Sequence, residues 1–262
     1  MNFVGQTLAL DSAGINAASA ALAVPLPNIW AVLHVETASC GFLPDRRPVI
    51  RFERLRFHEH TGGIYDATHP HISSPVAGNV APDGAAQYTL LDEAMSLNPD
   101  AALQSASWGL AQILGENYAL AGFSDVNSMV AAMVDSENAQ LEAFRAFIQS
   151  THLSRHLQTR DWAGFALGYN GKDYQRYHYD TLLADAFHLL TTSPLPDLNV
   201  RAAQLYLTLK GFSPDGIDGK LGPNTMTALR DFQASAGLPQ TGQLDSQTMA
   251  ALAPGAQIAA AR

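Results

Sequence analysis

The chain has 262 residues, of which 47% are hydrophobic and 15% are charged, a composition typical of globular proteins with a buried core. The net charge of −9 lies entirely in residues 1–196, because residues 197–262 carry five acidic and five basic side chains. This acidic balance, without a basic face, argues against a nucleic-acid partner. No uninterrupted apolar run reaches the roughly 18 residues of a membrane span, so we predict no membrane insertion.

Residue spacing in the N-terminal part predicts helices with one small β element. A helix is expected near 11–23, broken by Pro25 and Pro27, and a second at 28–39. Apolar residues three and four apart predict further helices in 86–97, 107–114, 126–149 and 161–168. Residues 46–57 alternate instead, which predicts a strand or hairpin closed by Gly62 and Gly63. The fold class expected here is mainly α, an α+β domain with a small β-hairpin.

A domain boundary is expected at 191–196, a short polar stretch that carries two prolines. Residues 1–190 would form the first domain, 197–255 a small three-helix domain, and 256–262 a C-terminal tail. The second domain contains an internal repeat with a period of 23 residues. Each copy reads as a glycine turn that leads into a short helix, through Gly219 and Thr225 in the first copy and Gly242 and Thr248 in the second. The linker predicts that the two domains fold and act separately.

The C-terminal segment resembles the peptidoglycan-binding-domain-1 family. The matching stretches are 218–225 (DGKLGPNT), 232–238 (FQASAGL) and 241–245 (TGQLD), which together span most of the segment. The resemblance implies a module that binds cell-wall peptidoglycan without cutting it.

The N-terminal part resembles the N-acetylmuramidase family found in phage endolysins. The matching stretches are 31–36 (AVLHVE), 41–45 (GFLPD), 52–54 (FER), 105–113 (SASWGLAQI) and 168–171 (GYNG). Some of them are also similar to goose-type lysozymes and lytic transglycosylases. The resemblance implies a lysozyme-like fold and hydrolysis of the β-1,4 bond between N-acetylmuramic acid and N-acetylglucosamine. Gln104 departs from the family, which usually has Glu there, so position 104 receives no acid–base role.

Glu36 is the predicted general acid. Glycoside hydrolysis needs a proton donor at neutral pH, whereas a free Glu with a pKa of about 4.3 is ionised there. Glu36 follows the strongly apolar stretch 29–33, and burial against apolar groups raises a carboxyl pKa. The alternative is a structural Glu paired with an arginine such as Arg54.

Glu53 is the predicted second carboxylate, since a small β element forms one wall of the cleft in lysozyme-like folds. A structural ion pair with Arg51 or Arg54 is the alternative for Glu53, and Asp45 is a weaker candidate for its catalytic role. The other arginines of 46–56 are interpreted as a solvated strand face. The carboxylate separation, which distinguishes inversion from retention, cannot be obtained from the sequence.

Five further residues are expected to handle the sugar, because an indole offers an apolar plane to a pyranose ring and amides or hydroxyls match N-acetyl groups. They are Ser107, Trp108, Gln112, Tyr169 and Asn170. Trp108 and Tyr169 also suit the core.

Three alternatives stay open at this point. A lytic transglycosylase would use one acid and form a 1,6-anhydro ring. A wall-binding protein with an inactive N-terminal domain would not cut at all. A zinc amidase or peptidase would use the pairs His58/His60 and His69/His71, although no HExxH motif is present. The single cysteine, Cys40, has no neighbouring base and is interpreted as packed.

The expected partner is bacterial peptidoglycan, bound by a monomer that needs no cofactor or metal. The N-terminus lacks the basic cluster that opens a secretory signal. We therefore expect synthesis in the cytoplasm without a signal peptide, and action on the cell wall after release by a separate route such as a holin.

Overall fold

The computed structural model describes residues 2–38, 40–78 and 81–253; the predicted tail at 256–262 lies outside these ranges. Within them the chain is mainly helical with one small antiparallel sheet, as expected. Two 3-10 helices lie at Gly115–Asn117 and Tyr174–Tyr177. The α-helices are α1 Ser12–Leu22, α2 Leu26–Thr37, α3 Arg54–Thr61, α4 Ala86–Leu97, α5 Pro99–Gln104, α6 Val126–Asp135, α7 Glu137–Ser150, α8 Ser154–Thr159, α9 Trp162–Tyr169, α10 Tyr179–Thr192, α11 Leu198–Leu209, α12 Pro223–Ser235 and α13 Ser246–Leu252.

Helix α2 is the central helix of the N-terminal domain. Pro27 occupies its first turn, where a missing N–H is tolerated, and the helix ends at Ala38 in the left-handed conformation. Its first half is buried on all sides, from Asn28 to Leu33, whereas residues 35–37 are partly exposed. Helix α10 packs along it. The helix therefore runs from the core towards the surface at its C-terminal end.

The sheet consists of β1 (Ile50–Phe52), β2 (Ala106–Trp108) and β3 (Ile113–Leu114), paired in that order. Two sequence predictions are wrong here. The helix expected at 107–114 is the β2–β3 hairpin, whose turn places Gly109 and Gln112 at positive φ. The strand expected through 46–57 is only three residues long, and α3 follows it at once. The partner of β1 is β2, far along the sequence, so local alternation could not reveal it.

Alternation along the strands gives the sheet two distinct faces. Ile50 and Phe52 point into the core, and so do Ala106 and Trp108 of β2. Arg51, Ser107 and Leu114 are cross-strand partners in one row, so they share the opposite face. The candidate site is built on this second face.

Helices α6 and α7 replace the single helix expected over 126–149. Ser136 interrupts it with extended backbone and caps α7 by accepting a hydrogen bond from the N–H of Ala139. Ser136 also forms a bridge to Leu8 of the N-terminal segment. The break thus brings the start of α7 against residues 8–10.

The C-terminal module, residues 197–253, contains the three expected helices α11, α12 and α13. Two buried glutamines explain its internal repeat. Gln204 accepts a hydrogen bond from the N–H of Gly219 and donates to Thr225 Oγ1. Gln233 accepts from the N–H of Gly242 and donates to Thr248 Oγ1. In each copy one glutamine fixes a glycine turn and the helix that follows it.

Residues 193–197 connect the two domains outside any helix, at the predicted boundary, but the two domains are in direct contact. That they fold and act separately stays a prediction. Helix α10 extends to Thr192, and the module packs directly on the N-terminal domain. Ala9 and Phe42 of that domain belong to the same apolar cluster as the module's Leu205 and Phe232. The contact combines this apolar cluster with a buried ion pair between Glu137 and Arg201.

Among the residues described, no single helix is long and apolar enough to cross a membrane. The pair α1 and α2 meets the length and composition criteria only when taken together, and the two helices are bent by 111°.

Candidate active site

Glu36 lies on the last turn of α2 with part of its side chain exposed. It follows buried Ile29, Val32 and Leu33 by seven, four and three residues, so it continues their face of the helix. Burial raises the pKa of Glu36, and although the hydrogen bond from Asn170 and the charge of Arg51 oppose the shift, the result is about 7. A substantial fraction of Glu36 is therefore protonated at neutral pH, as a general acid requires.

Asn170 holds the Glu36 carboxyl from the end of α9. Its Nδ2 donates a hydrogen bond to Glu36 Oε1 at 3.0 Å. Within the ranges that the structure describes, Asn170 Oδ1 is buried and has no hydrogen-bond partner. An amide that turned over would present this oxygen to a protonated Glu36. Asn170 can thus pair with either protonation state of the carboxyl.

Tyr169 fixes the position of its neighbour Asn170. Its ring stacks on Phe165 with centroids 5.1 Å apart, and its hydroxyl donates to the Ala111 carbonyl at 2.6 Å. Burial and the charge of Glu36 raise the pKa of Tyr169 well above its usual value. The hydroxyl is already engaged, so we interpret Tyr169 as a support of the site.

Glu53 follows β1 and lies near the sheet face that carries Arg51. It is the residue before α3 and not part of a strand, and its backbone N–H donates to the Ser105 carbonyl at 2.8 Å. In the described part of the chain its half-buried carboxylate makes no hydrogen bond or ion pair. Burial raises the pKa of Glu53 despite the charges of Arg56 and Arg51. The alternative, an ion pair with Arg54, is not formed, because Arg54 Nε donates to the Val76 carbonyl.

Electrostatic interactions connect the two carboxylates through Arg51 and Tyr179. Burial raises the pKa of the Tyr179 hydroxyl, the charges of Glu36 and Glu53 raise it further, and Arg51 lowers it. The charge of Arg51 also acts to lower the pKa of Glu36 and of Glu53. The charges of Glu36, Glu53 and Arg51 therefore influence one another and the Tyr179 hydroxyl, and Arg51 lies opposite Ser107 on the sheet.

Two predicted sugar-binding residues lie differently from expectation. Trp108 is 0% exposed, and its indole N–H donates to the Leu103 carbonyl, so it belongs to the core and cannot stack on a sugar. Gln112 uses its Nε2 to hold the carbonyls of Val49 and Gly109, which fixes the hairpin turn. Only its Oε1 is left for a ligand. Ser107 lies opposite Arg51 on the second face of the sheet, and its contact with the sugar stays a prediction.

Asp45 lies outside this group. Burial acts to raise its pKa, but the hydrogen bonds from Arg47 dominate and hold the pKa of Asp45 below its usual value. The two side chains form an ion pair at 2.6 Å. An ionised, paired carboxylate is a poor candidate for the second catalytic group.

Each of the four candidate histidines lies beside a carboxylate. His58 contacts Asp66 and His60 contacts Glu116, whereas His69 and His71 both approach Glu93, at 4.0 and 2.8 Å. In residues 2–38, 40–78 and 81–253, no group of three or more His, Cys, Asp or Glu side chains is arranged to hold a metal ion. The zinc alternative therefore has no structural support.

A depression of about 330 Å³ between α2 and α10 includes none of the site residues. Its lining is mainly apolar, with His34, Val35 and Asp185 among the contributing side chains. We assign it no part in the reaction.

Sequence reasoning named Arg51 only as a possible structural partner of Glu53, and it missed Tyr179. Tyr179 belongs to a tyrosine-rich segment, with Tyr174 and Tyr177, shortly after Asn170. Aromatic residues close to a site motif were the available signal.

Comparison with protein families gives a match to N-acetylmuramidase over residues 25–191. The chain belongs to the N-acetylmuramidase family. A second match, to a peptidoglycan binding domain, covers residues 196–252 and coincides with the C-terminal module. The chain of this family member thus combines a peptidoglycan-degrading domain with a domain that binds the same polymer.

A solved structure supports this assignment. The crystal structure of the Burkholderia AP3 phage endolysin is 37% identical in sequence, with a TM-score of 0.63. The match covers 70% of this muramidase chain and 71% of the endolysin chain. A search of curated proteins found no match.

Proposed function

We propose that this muramidase hydrolyses the β-1,4 bond between N-acetylmuramic acid and N-acetylglucosamine, with Glu36 as the general acid. The observation that carries the proposal is the Glu36 carboxyl, whose pKa of about 7 results mainly from burial. Protonation of the leaving oxygen needs a group of this kind in the working pH range. Asn170 orients the carboxyl through its hydrogen bond to Oε1.

Glu53 is the proposed second carboxylate. It is half-buried and makes no hydrogen bond or ion pair within the described residues, so it is available to activate a water or to stabilise positive charge on the sugar. The neighbouring charge of Arg51 favours its ionised form. An available second carboxylate favours hydrolysis over the transglycosylase reaction, which needs only one acid.

Ser107 and Gln112 Oε1 are the proposed polar contacts to the N-acetyl groups of the glycan. The C-terminal module is proposed to anchor the enzyme to the wall, and the similarity to a phage endolysin suggests host-cell lysis as its biological role. Release by a separate route such as a holin, a monomeric state and activity without a cofactor stay predictions.

Mass spectrometry of the ends released from purified peptidoglycan tests the bond and the reaction. Hydrolysis at the proposed bond gives reducing N-acetylmuramic acid ends. A 1,6-anhydro product would instead establish the transglycosylase reaction, and reducing N-acetylglucosamine ends would place the cut at the other linkage.

Replacing Glu36 tests the catalytic assignment. Glu36→Gln keeps the shape but cannot donate the proton, and we expect activity to fall by about 10²–10⁴-fold. Asp45→Asn is the matched control, since it removes a carboxylate outside the site and should leave turnover close to that of the parent protein. A Glu36→Gln protein that clears cell-wall suspensions at the parent rate would contradict the assignment.

A further inference from the structure

A buried ion pair joins the C-terminal module to the N-terminal domain. Arg201 on α11 donates from Nη1 to Glu137 Oε2 and from Nη2 to Glu137 Oε1, both at 2.6 Å. Both side chains are 0% exposed. A bidentate pair of this kind fixes orientation as well as distance, and removing one partner leaves an uncompensated buried charge.

Besides forming the ion pair, Glu137 accepts hydrogen bonds from two backbone N–H groups of the N-terminal domain. Its Oε2 also accepts a hydrogen bond from the Leu10 N–H at 2.8 Å, and its Oε1 accepts one from the Gly41 N–H at 2.9 Å. Gly41 belongs to the segment that follows α2. The carboxylate therefore connects the module, the N-terminal segment and the chain that leaves the helix of Glu36.

One turn further along α7, Gln140 continues this network. Its Oε1 accepts from the Leu110 N–H at 2.7 Å, and the Leu110 carbonyl accepts from Thr37 Oγ1 at 2.8 Å. Thr37 is the residue after Glu36. A Cβ at Gly41 would lie 1.9 Å from Gln140 Oε1, so the segment can approach this closely only because it has a glycine. The end of α2 is thus held by groups that α7 positions.

We propose that Arg201 is a positioning residue for the muramidase reaction: through Glu137 and Gly41 it holds the end of the helix that carries Glu36. The module then acts as a fixed part of the catalytic unit in addition to its anchoring role. A second polar contact supports fixed docking, since the Ala9 N–H donates to Tyr206 Oη of α11 at 3.1 Å in a buried position. The proposal rests on the proposed role of Glu36.

Full-length variants separate positioning from stability. Arg201→Met leaves Glu137 charged and unpaired, and we expect kcat on soluble glycan fragments to fall at least about tenfold, with KM little changed, because misplaced catalytic groups lose rate. Arg201→Lys keeps the charge without the bidentate geometry and should recover part of the rate. Arg145→Met is the control, since it removes an exposed ion pair with Glu142 on the same α7.

Two double variants decide the question even where Arg201→Met folds poorly. Arg201→Met with Glu137→Gln has no buried charge and keeps an oxygen for the Gly41 N–H, while its amide nitrogen faces the Leu10 N–H and lowers stability. Because the contact to Gly41 is kept, kcat should return to within about threefold of the parent. Arg201→Met with Glu137→Leu also has no buried charge but lacks that oxygen. Its thermal stability should recover while its kcat stays at least about tenfold low.

The proposal is overturned if both double variants turn over at the parent rate, or if Arg201→Met and Arg201→Lys both lose activity only in proportion to unfolded protein. Glu36→Gln, assayed alongside, keeps the two hypotheses apart. If it stays active, the role of Glu36 fails; if it is inactive while the Leu double variant is fully active, only the positioning role fails.

Discussion

The C-terminal module and the candidate site differ in whether their polar side chains have hydrogen-bond partners within the protein. In the module, Gln204 and Gln233 use both the oxygen and the nitrogen of their amides in hydrogen bonds. At the site, and among the described residues, Asn170 Oδ1 is buried without a hydrogen-bond partner, and the half-buried Glu53 carboxylate makes no hydrogen bond to the protein. Satisfied polar groups specify turns and helix positions, whereas a buried polar atom without a partner is rare and calls for an explanation such as a catalytic role.

The first test of this comparison removes Gln233, a glutamine whose amide oxygen and nitrogen are both hydrogen-bonded. Gln233→Leu leaves the Gly242 N–H without its acceptor and Thr248 Oγ1 without its donor, so we expect a loss of about 3 kcal/mol in the free energy of unfolding. Because the module shares an apolar cluster with Ala9 and Phe42, the whole chain should unfold at a lower temperature.

Thermal or urea unfolding measures this effect, with exposed Gln247→Leu on α13 as the control. A Gln233→Leu protein as stable as the control would show that the repeated glutamine is not what holds the turn.

The second test removes the Glu53 carboxylate, which has no hydrogen-bond partner among the described residues. Glu53→Gln should lower kcat at least about tenfold, the low end for a positioned acid–base group. Its stability should stay close to that of the parent, because no hydrogen bond or ion pair of Glu53 is lost among the described residues. Steady-state kinetics on soluble glycan fragments test this, with exposed Glu59→Gln on α3 as the control.

Unchanged turnover in Glu53→Gln would show that Glu53 has no catalytic role and would favour a reaction that uses a single acid. The expected pattern is the opposite of that for Gln233, since rate falls while stability does not.

The sequence predicts those parts of the fold whose signals are local. Pro25 and Pro27 indicate where α2 begins, and the spacing of Gly219 and Gly242 reveals the repeat before its glutamines are seen. The family resemblance predicts the candidate site residues Glu36 and Asn170, and the structure brings Asn170 Nδ2 to 3.0 Å from Glu36 Oε1. Local periodicity predicted α1, α2 and α4, but it merged α6 with α7 and did not predict α10.

Features that depend on distant partners were not predictable in this way. Strands of two or three residues are too short for a periodic signal, so the hairpin at 106–114 was read as a helix. The partners Glu137 and Arg201 are 64 residues apart, and neither stretch of sequence indicates which opposite charge it will meet. The indole of Trp108 was placed at the site because a motif identifies a segment, not the direction in which each side chain points.

The smallest expected effect concerns the stability contributed by Glu36. The pKa of Glu36 is about 7 in the folded protein, whereas its ordinary value, which applies to the unfolded chain, is 4.5. The folded state therefore binds the proton more tightly than the unfolded state does. The resulting stabilisation is complete below the unfolded pKa and is lost as the pH rises through about 7. Glu36→Gln is neutral throughout and does not suffer this loss. Its advantage in Tm over the parent should therefore grow between pH 5 and pH 8, by roughly 2–4 °C if the linkage contributes about 1 kcal/mol. Thermal unfolding of both proteins across this range, with Glu59→Gln as an exposed control, measures the difference. A constant or shrinking advantage would mean that folding does not raise the pKa of Glu36, and a general acid protonated at neutral pH would lose its physical basis.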